Sequence, residues 1–109
     1  MLRSIKDMLK YSILAVDGEI GQVSDVLVSD GDLRVRYLVI DTGAWLPGRK
    51  VLLSTAWLSS IEPEKRQVVV NIEKKRIKEA PEYDPDVPLE RVYETRLHDH
   101  YGFPYYWQL

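Results

Sequence analysis

Between Tyr11 and Ile72 the sequence breaks into short apolar runs separated by turn residues, with no amphipathic stretch long enough for a crossover helix among them. "YSILAV" stops at "DGE", where Asp17-Gly18 is a tight-turn signal. "IGQVSDVLVS" follows, with Gly21 suited to a bulge or a close backbone approach. After the turn in "SDGDL" comes "LRVRYLVID", the clearest strand in the chain. Its alternation puts Leu33, Val35, Tyr37 and Val39 on one face, while the other begins with Arg34 and Arg36 and turns apolar at Leu38 and Ile40. A strand half exposed at its start and buried on both faces at its end suits a sheet that curls over on itself. "KVLLS" and "QVVVNI" add two more runs. Between them Trp57, Leu58 and Ile61 are expected to cover one end of the sheet, and "EPEKR" to make a polar connection. Five to six short strands joined by tight turns predict a mainly β fold, an antiparallel meander closing into a small barrel.

Past Asn71 the pattern changes. "EKKRIKEA" reads as a short charged helix stopped by Pro81, and "PEYDPDVP" as an extended connection. "LERVYETRLHDHYG" places Leu89, Val92, Tyr93, Leu97 and Tyr101 at helical spacing, with Pro88 at a helix-start position and Gly102 at a stop. The expected organisation is a barrel over residues 1–80 and a C-terminal extension over 81–109 that belongs to the same compact domain. At 109 residues and 45% hydrophobic content there is material for one modest core, and chains of this size often add oligomerisation to it.

The chain has no cysteine, which removes disulfides, thiolate metal sites and a cysteine nucleophile, and fits a reducing compartment. Fifteen basic residues against seventeen acidic ones give a net charge of −2, so no global field draws nucleic acid or acidic membrane. Arg3, Lys6, Asp7 and Lys10 interrupt the first apolar run well short of a signal peptide or a membrane span. A soluble, cytoplasmic protein is expected.

Four features invite a chemical reading. The first is "VIDTGAW", in which Asp41-Thr42-Gly43 matches the catalytic triplet of retroviral-type aspartic proteases. That chemistry requires two carboxylates about 3 Å apart sharing a proton, supplied by a dimer. The fold also needs a Gly-rich flap and a later apolar-apolar-Gly loop. "SSIEPEKRQ" contains no glycine, and the only glycine after Gly48 is Gly102, preceded by His100 and Tyr101. A motif without its context is weak, so Asp41 reads as a turn-forming residue. The second feature is His98-Asp99-His100. Residues two apart on a helix point to different faces, so one histidine is expected beside the aromatic tail and the other in solvent, with no metal. The third is the basic cluster Lys74, Lys75, Arg76 and Lys78, diluted by Glu62, Glu64, Glu73 and Glu79; it reads as a solvated face, with RNA binding the lesser alternative. The fourth is the tail "YGFPYYW". An undocked aromatic cluster would invite aggregation, so Tyr101, Phe103, Tyr105, Tyr106 and Trp107 are expected to dock, in preference on a second copy.

Taken together, "DGEIGQVSDVLV", "VRYLVIDTGAWLPGRKVLLS" and "APEYDPDVPLERVYETRLHDHYGFPYYW" resemble the PRC-barrel family, named after the H subunit of the photosynthetic reaction centre. The last stretch resembles the extension of stand-alone bacterial members. The resemblance implies that "DTG-W-P-GRKV" is a strand-loop-strand joint, and that the barrel is an adaptor docking on macromolecules. In the reaction centre it caps a membrane complex, so peripheral association of that kind is one implication; in a ribosome-maturation factor it helps engage a small-subunit ribosomal protein. Neither the membrane helix of the first nor the preceding domain of the second is expected from these 109 residues. No catalytic residue or cofactor comes with the family. The resulting expectation is a non-enzymatic interaction module, self-associating as a homodimer and docking on a protein partner. Its interface would use Trp45 and Leu46, or Val92, Tyr93, Leu97 and Tyr101 with the tail residues Phe103, Tyr105, Tyr106 and Trp107. An RNA- or ribosome-associated assembly factor is the first alternative, and a protease dimer built on Asp41 the second.

Overall fold

The computed structural model describes residues 8–29, 31, 33–43 and 48–107. Six strands make one sheet: β1 (Ser12–Ala15), β2 (Gly18–Val28), β3 (Val35–Asp41), β4 (Lys50–Ser54), β5 (Leu58–Glu62) and β6 (Gln67–Val70). Two helices follow, α1 (Lys74–Lys78) and α2 (Arg91–Tyr101). The sheet order is β4-β3-β2-β1-β6-β5. The first four strands form the antiparallel meander that the turn signals predict, and β5 and β6 form an antiparallel hairpin.

One pairing departs from expectation: β6 joins β1 in parallel, Ser12 opposite Gln67 and Leu14 opposite Val69. The chain leaves β4 through a 3-10 turn, Thr55–Trp57, started by Ser54, whose hydroxyl accepts the Ala56 N–H. That turn delivers the hairpin to the far edge of the meander, and β6 arrives there running with β1 rather than against it. A second correction concerns the segment expected to cover the sheet. Trp57 is buried, but Leu58 is half-buried and Ile61 is 42% exposed, because this stretch is itself strand β5. The hairpin β1–β2 also turns one residue earlier than "DG" suggests: Ala15 pairs with Gly18, and Val16 and Asp17 make the loop.

Gly21 is required where it stands. Its φ is +135°, and a Cβ there would lie 2.1 Å from the Asp41 carbonyl oxygen. The close approach lets β2 bend across the end of β3, which gives the sheet its curl. The core is then filled by Ile13, Ile20, Val23, Leu38, Ile40, Leu52, Leu53 and Val68, all essentially inaccessible. The end of β3 is buried on both faces, from Tyr37 to Ile40, as its sequence predicts.

Helix α1 is short and is fixed at its start by the Asp17 carboxylate, which accepts the Lys74 N–H at 2.9 Å. Its Ile77 enters the common core. The connection over 81–90 is tied to β4 by the Tyr83 N–H, which donates to the Lys50 carbonyl at 2.9 Å, and by the Arg49 guanidinium, which donates to the Ala80 carbonyl. Helix α2 starts at Arg91, three residues beyond Pro88, and stops at Gly102, whose left-handed φ of 72° lets its N–H reach the carbonyls of His98 and Asp99.

Candidate interaction site

Helix α2 buries Glu94, Leu97, His98 and Tyr101, a stripe at i, i+3, i+4, i+7. One of those four carries a carboxyl and one an imidazole. Their partner is Tyr37 in the middle of the sheet, whose hydroxyl lies 2.7 Å from Glu94 Oε2 and 2.9 Å from His98 Nε2. The other ring nitrogen, Nδ1, faces the Pro104 carbonyl at 3.0 Å. A thread of hydrogen bonds thus runs from the helix, through the barrel wall, to the C-terminal tail. Burial and the adjoining Glu94 carboxyl push the Tyr37 phenol far above its ordinary range, so it works as a protonated group. Burial pushes the His98 imidazole down, against the opposing pull of the Pro104 carbonyl, Glu94 and Asp99.

Aromatic rings surround this thread. Trp57 lies 5.0 Å from the His98 ring, 4.8 Å from Tyr101 and 5.3 Å, stacked, from Phe103. Trp107 covers His98 from the tail side at 5.2 Å and stacks on Tyr105 at 4.9 Å. Two guanidinium groups lie over the outer rings: Arg36 at 4.3 Å from the Tyr106 centroid, Arg91 at 4.1 Å from that of Trp107. Between β2, β3, α2 and Tyr106 there remains a cleft of about 430 Å³ with Ser29, Arg36, Arg91 and Glu94 on its walls.

A second hollow, about 300 Å³, lies between the 82–90 connection and the outer side of α2. Its apolar lining includes Val87 and Val92, which are 52% and 70% exposed, beside the half-buried Tyr83, Leu89 and Tyr93. Glu82, Asp84 and Glu90 stand on its rim, with Arg96 the one cation among the described residues that line it. The connection holds its shape through its own turn: Asp84 accepts the Asp86 N–H with its carboxylate and the Val87 N–H with its carbonyl. Tyr93 fixes the inner wall by donating to the Pro81 carbonyl at 2.8 Å.

These placements redistribute the residues expected at an interface. Leu97 and Tyr101 are 0% and 1% exposed and belong to the chain's own core, so the helix face they share is not open surface. The reason is rotational: the buried stripe is centred on Leu97 and His98, which leaves Val92 pointing outward. Phe103, Tyr105, Tyr106 and Trp107 are half-buried and pack within the same chain, against Trp57, Tyr37 and His98. Within the single chain the tail thus packs in cis, with each of these rings still partly open. Trp45 and Leu46 lie outside the described residues. His98 does pack beside the tail; His100 is half-buried, not fully solvated, with Nε2 2.6 Å from the Arg76 carbonyl. The Asp41 carboxylate accepts the Gly43 N–H at 2.9 Å, the turn-forming role read from its neighbours. Sequence reasoning missed Tyr37, Glu94, Arg91 and Val87. Glu94 was visible only as a carboxylate four residues before a histidine, a spacing that helices carry on solvated faces as readily as on buried ones.

A solved structure similar to this chain is that of a 16S ribosomal RNA processing protein, RimM, from Pseudomonas aeruginosa, 14% identical with a TM-score of 0.53. The match covers 67% of this chain and 45% of that one, so the chain corresponds to less than half of that protein, and the likeness is one of fold. No curated protein matches the chain. A model of the PRC-barrel domain matches residues 2–77, well over half of the chain, and with the six-stranded curled sheet already described it identifies the chain as a member of the PRC-barrel family.

Proposed function

We propose that the chain is a non-enzymatic protein-interaction module, cytoplasmic and adaptor-like, whose docking surface is the groove between the 82–90 connection and α2. The observation that carries this reading is the pair Val87 and Val92, aliphatic side chains left open in one hollow on the side of α2 away from its buried stripe. The acidic rim of Glu82, Asp84 and Glu90 favours a partner segment that brings an apolar side chain flanked by lysine or arginine. The same two valines are the contact through which a second copy would make the homodimer. Replacing both by aspartate tests both ideas at once. The double variant should lose capture of basic apolar peptides and, if the dimer uses this face, halve the solution mass measured by light scattering. Unchanged peptide capture and unchanged mass would move the interface elsewhere on the barrel.

The likeness to a ribosomal RNA processing protein favours a second reading, a ribosome-associated assembly factor. Co-sedimentation of the full chain with small ribosomal subunits, at low and at high salt, tests it. Retention that persists in high salt supports a protein contact; retention lost with salt supports the basic cluster Lys74–Lys78 touching RNA.

A further inference from the structure

The thread through Tyr37 contains three hydrogen bonds in a row, and an ionised glutamate beside a neutral histidine supplies protons for only two. The Pro104 carbonyl can only accept, so His98 Nδ1, at 3.0 Å, must carry a hydrogen. Two arrangements then complete the row. In one, His98 Nε2 also carries a hydrogen and donates to the Tyr37 oxygen, whose own hydrogen goes to Glu94. In the other, Glu94 is protonated and donates to the Tyr37 oxygen, and Tyr37 donates to a bare Nε2. Each uses three protons, and shifting protons through the Tyr37 hydroxyl, 2.7 Å from Oε2 and 2.9 Å from Nε2, converts one into the other.

We propose that Glu94 and His98 hold one proton between them through Tyr37, and that this shared proton pins the aromatic tail to the barrel. When it leaves, as pH rises, one contact of the row becomes two lone pairs facing each other at hydrogen-bond distance. Either His98 gives up the Pro104 carbonyl, or Tyr37 gives up one of its two partners. The tail then loses one of the polar ties that hold it over Trp57 and Tyr37, beside the Phe103 N–H to the His98 carbonyl at 3.2 Å and Tyr105 to Asp99.

The surroundings bear on where the proton rests. On the helix itself, Arg91 lies 3.6 Å from Glu94 Oε1 and Asp99 is one residue beyond His98. From the tail, the Tyr106 hydroxyl also reaches Glu94, and Tyr105 donates to Asp99. From β3, Arg36 lies over the outer ring of Tyr106, and Trp57 and Trp107 add apolar cover. The Arg91 side chain is 53% exposed and screened by water, whereas that of Glu94 is 7% exposed. Burial acts against charge on the imidazole. It does not act against a proton on the pair, because with the proton at the carboxyl end neither group is charged.

The sign of the pH dependence separates this arrangement from an ordinary buried histidine. Apart, a glutamate and a histidine release their protons near pH 4.3 and 6.5. Above about pH 6.5 the unfolded chain has lost the proton that the folded pair keeps, so unfolding releases one and stability falls as pH rises, until the folded pair lets go as well. A neutral histidine beside an ionised glutamate gives the reverse: full stability above about pH 6.5, lost as pH falls through that value.

Urea denaturation of the full chain between pH 6.5 and 8, for wild type and Glu94→Gln, tests the proposal. The glutamine amide donates permanently to the Tyr37 oxygen, completing the row with no proton to lose. Wild type should lose up to about tenfold in its folding constant per pH unit relative to the variant, and its amides at 105–107 should exchange faster, after correction for intrinsic rate, as pH rises. His100 is present in both proteins and cancels. Equal pH slopes in the two proteins, or a wild-type slope of opposite sign, would overturn the proposal. Should Glu94→Gln not fold, Tyr37→Phe removes the hydroxyl whose two hydrogen bonds hold the shared proton in place and should flatten the slope; a slope that survives it sinks the idea.

Discussion

Strand β3 and helix α2 face each other across the core, and each contributes four buried residues in a run or stripe. On β3 these are Tyr37, Leu38, Val39 and Ile40, apolar but for one hydroxyl. On α2 they are Glu94, Leu97, His98 and Tyr101, of which two can carry charge. Aliphatic side chains accept any neighbour of fitting shape, so the strand's burial holds the sheet together without dictating what covers it. The helix stripe behaves differently. Glu94 and His98 are satisfied only opposite Tyr37 and Pro104, so sliding α2 by one turn, or rotating it, strands polar groups in the interior. The barrel supplies cohesion, and the helix supplies a unique way of being closed.

The comparison can be broken most severely on the barrel side. Leu53→Ala empties a fully buried site and should cost about 2–5 kcal/mol in urea denaturation. A value below about 1 kcal/mol would mean the sheet is far looser than its packing implies. Gly21→Ala forces a side chain against the Asp41 carbonyl at a φ of +135° and should cost about 2–3 kcal/mol. On the helix side, Tyr37→Phe deletes the shared hydroxyl and should cost about 1–3 kcal/mol, whereas Tyr105→Phe, which removes only a solvent-facing hydroxyl, should leave the urea midpoint unchanged. Replacing the whole polar set, Tyr37→Phe with Glu94→Met and His98→Leu, sharpens the contrast. Global stability should stay within about 1–2 kcal/mol of wild type, while amide resonances of α2 broaden as the helix samples more than one seat. Sharp, single resonances in that triple variant would show that the polar stripe does not select the register. The smallest effect is Val92→Ser, within about 0.5 kcal/mol in stability, with its consequence confined to partner capture.

The same contrast governs what could be read from the sequence. The strands were legible because burial on β3 and β4 is written in residue type: valine, leucine and isoleucine at strand spacing announce their own environment. The Gly21 approach and the Gly102 stop were legible because only glycine takes those backbone angles without strain. The seat of α2 was not. An apolar-only reading rotates the helix towards Val92, since nothing local says that Glu94 is buried and Val92 is exposed. That information lies in Tyr37, 57 residues earlier, and becomes visible only when the fold brings the two together. The parallel β1–β6 pair was hidden for a related reason. A turn signal announces a hairpin, but no local signal announces which edge of the sheet the hairpin will join.

That parallel pair also sets an order of events. Ser12 to Leu14 meet Gln67 to Val69, so the sheet cannot complete its width until the sixth strand has been made. The β1 edge that β6 covers stays unpaired until residues 67–69 join it, and the tail that covers Trp57 lies later still in the sequence. Pairings between residues so distant in sequence are slow to form and expose unpaired edges while they wait. This protein should therefore fold with a late, cooperative closing step, and it is most vulnerable to edge-to-edge association when the meander is finished and the final hairpin is not.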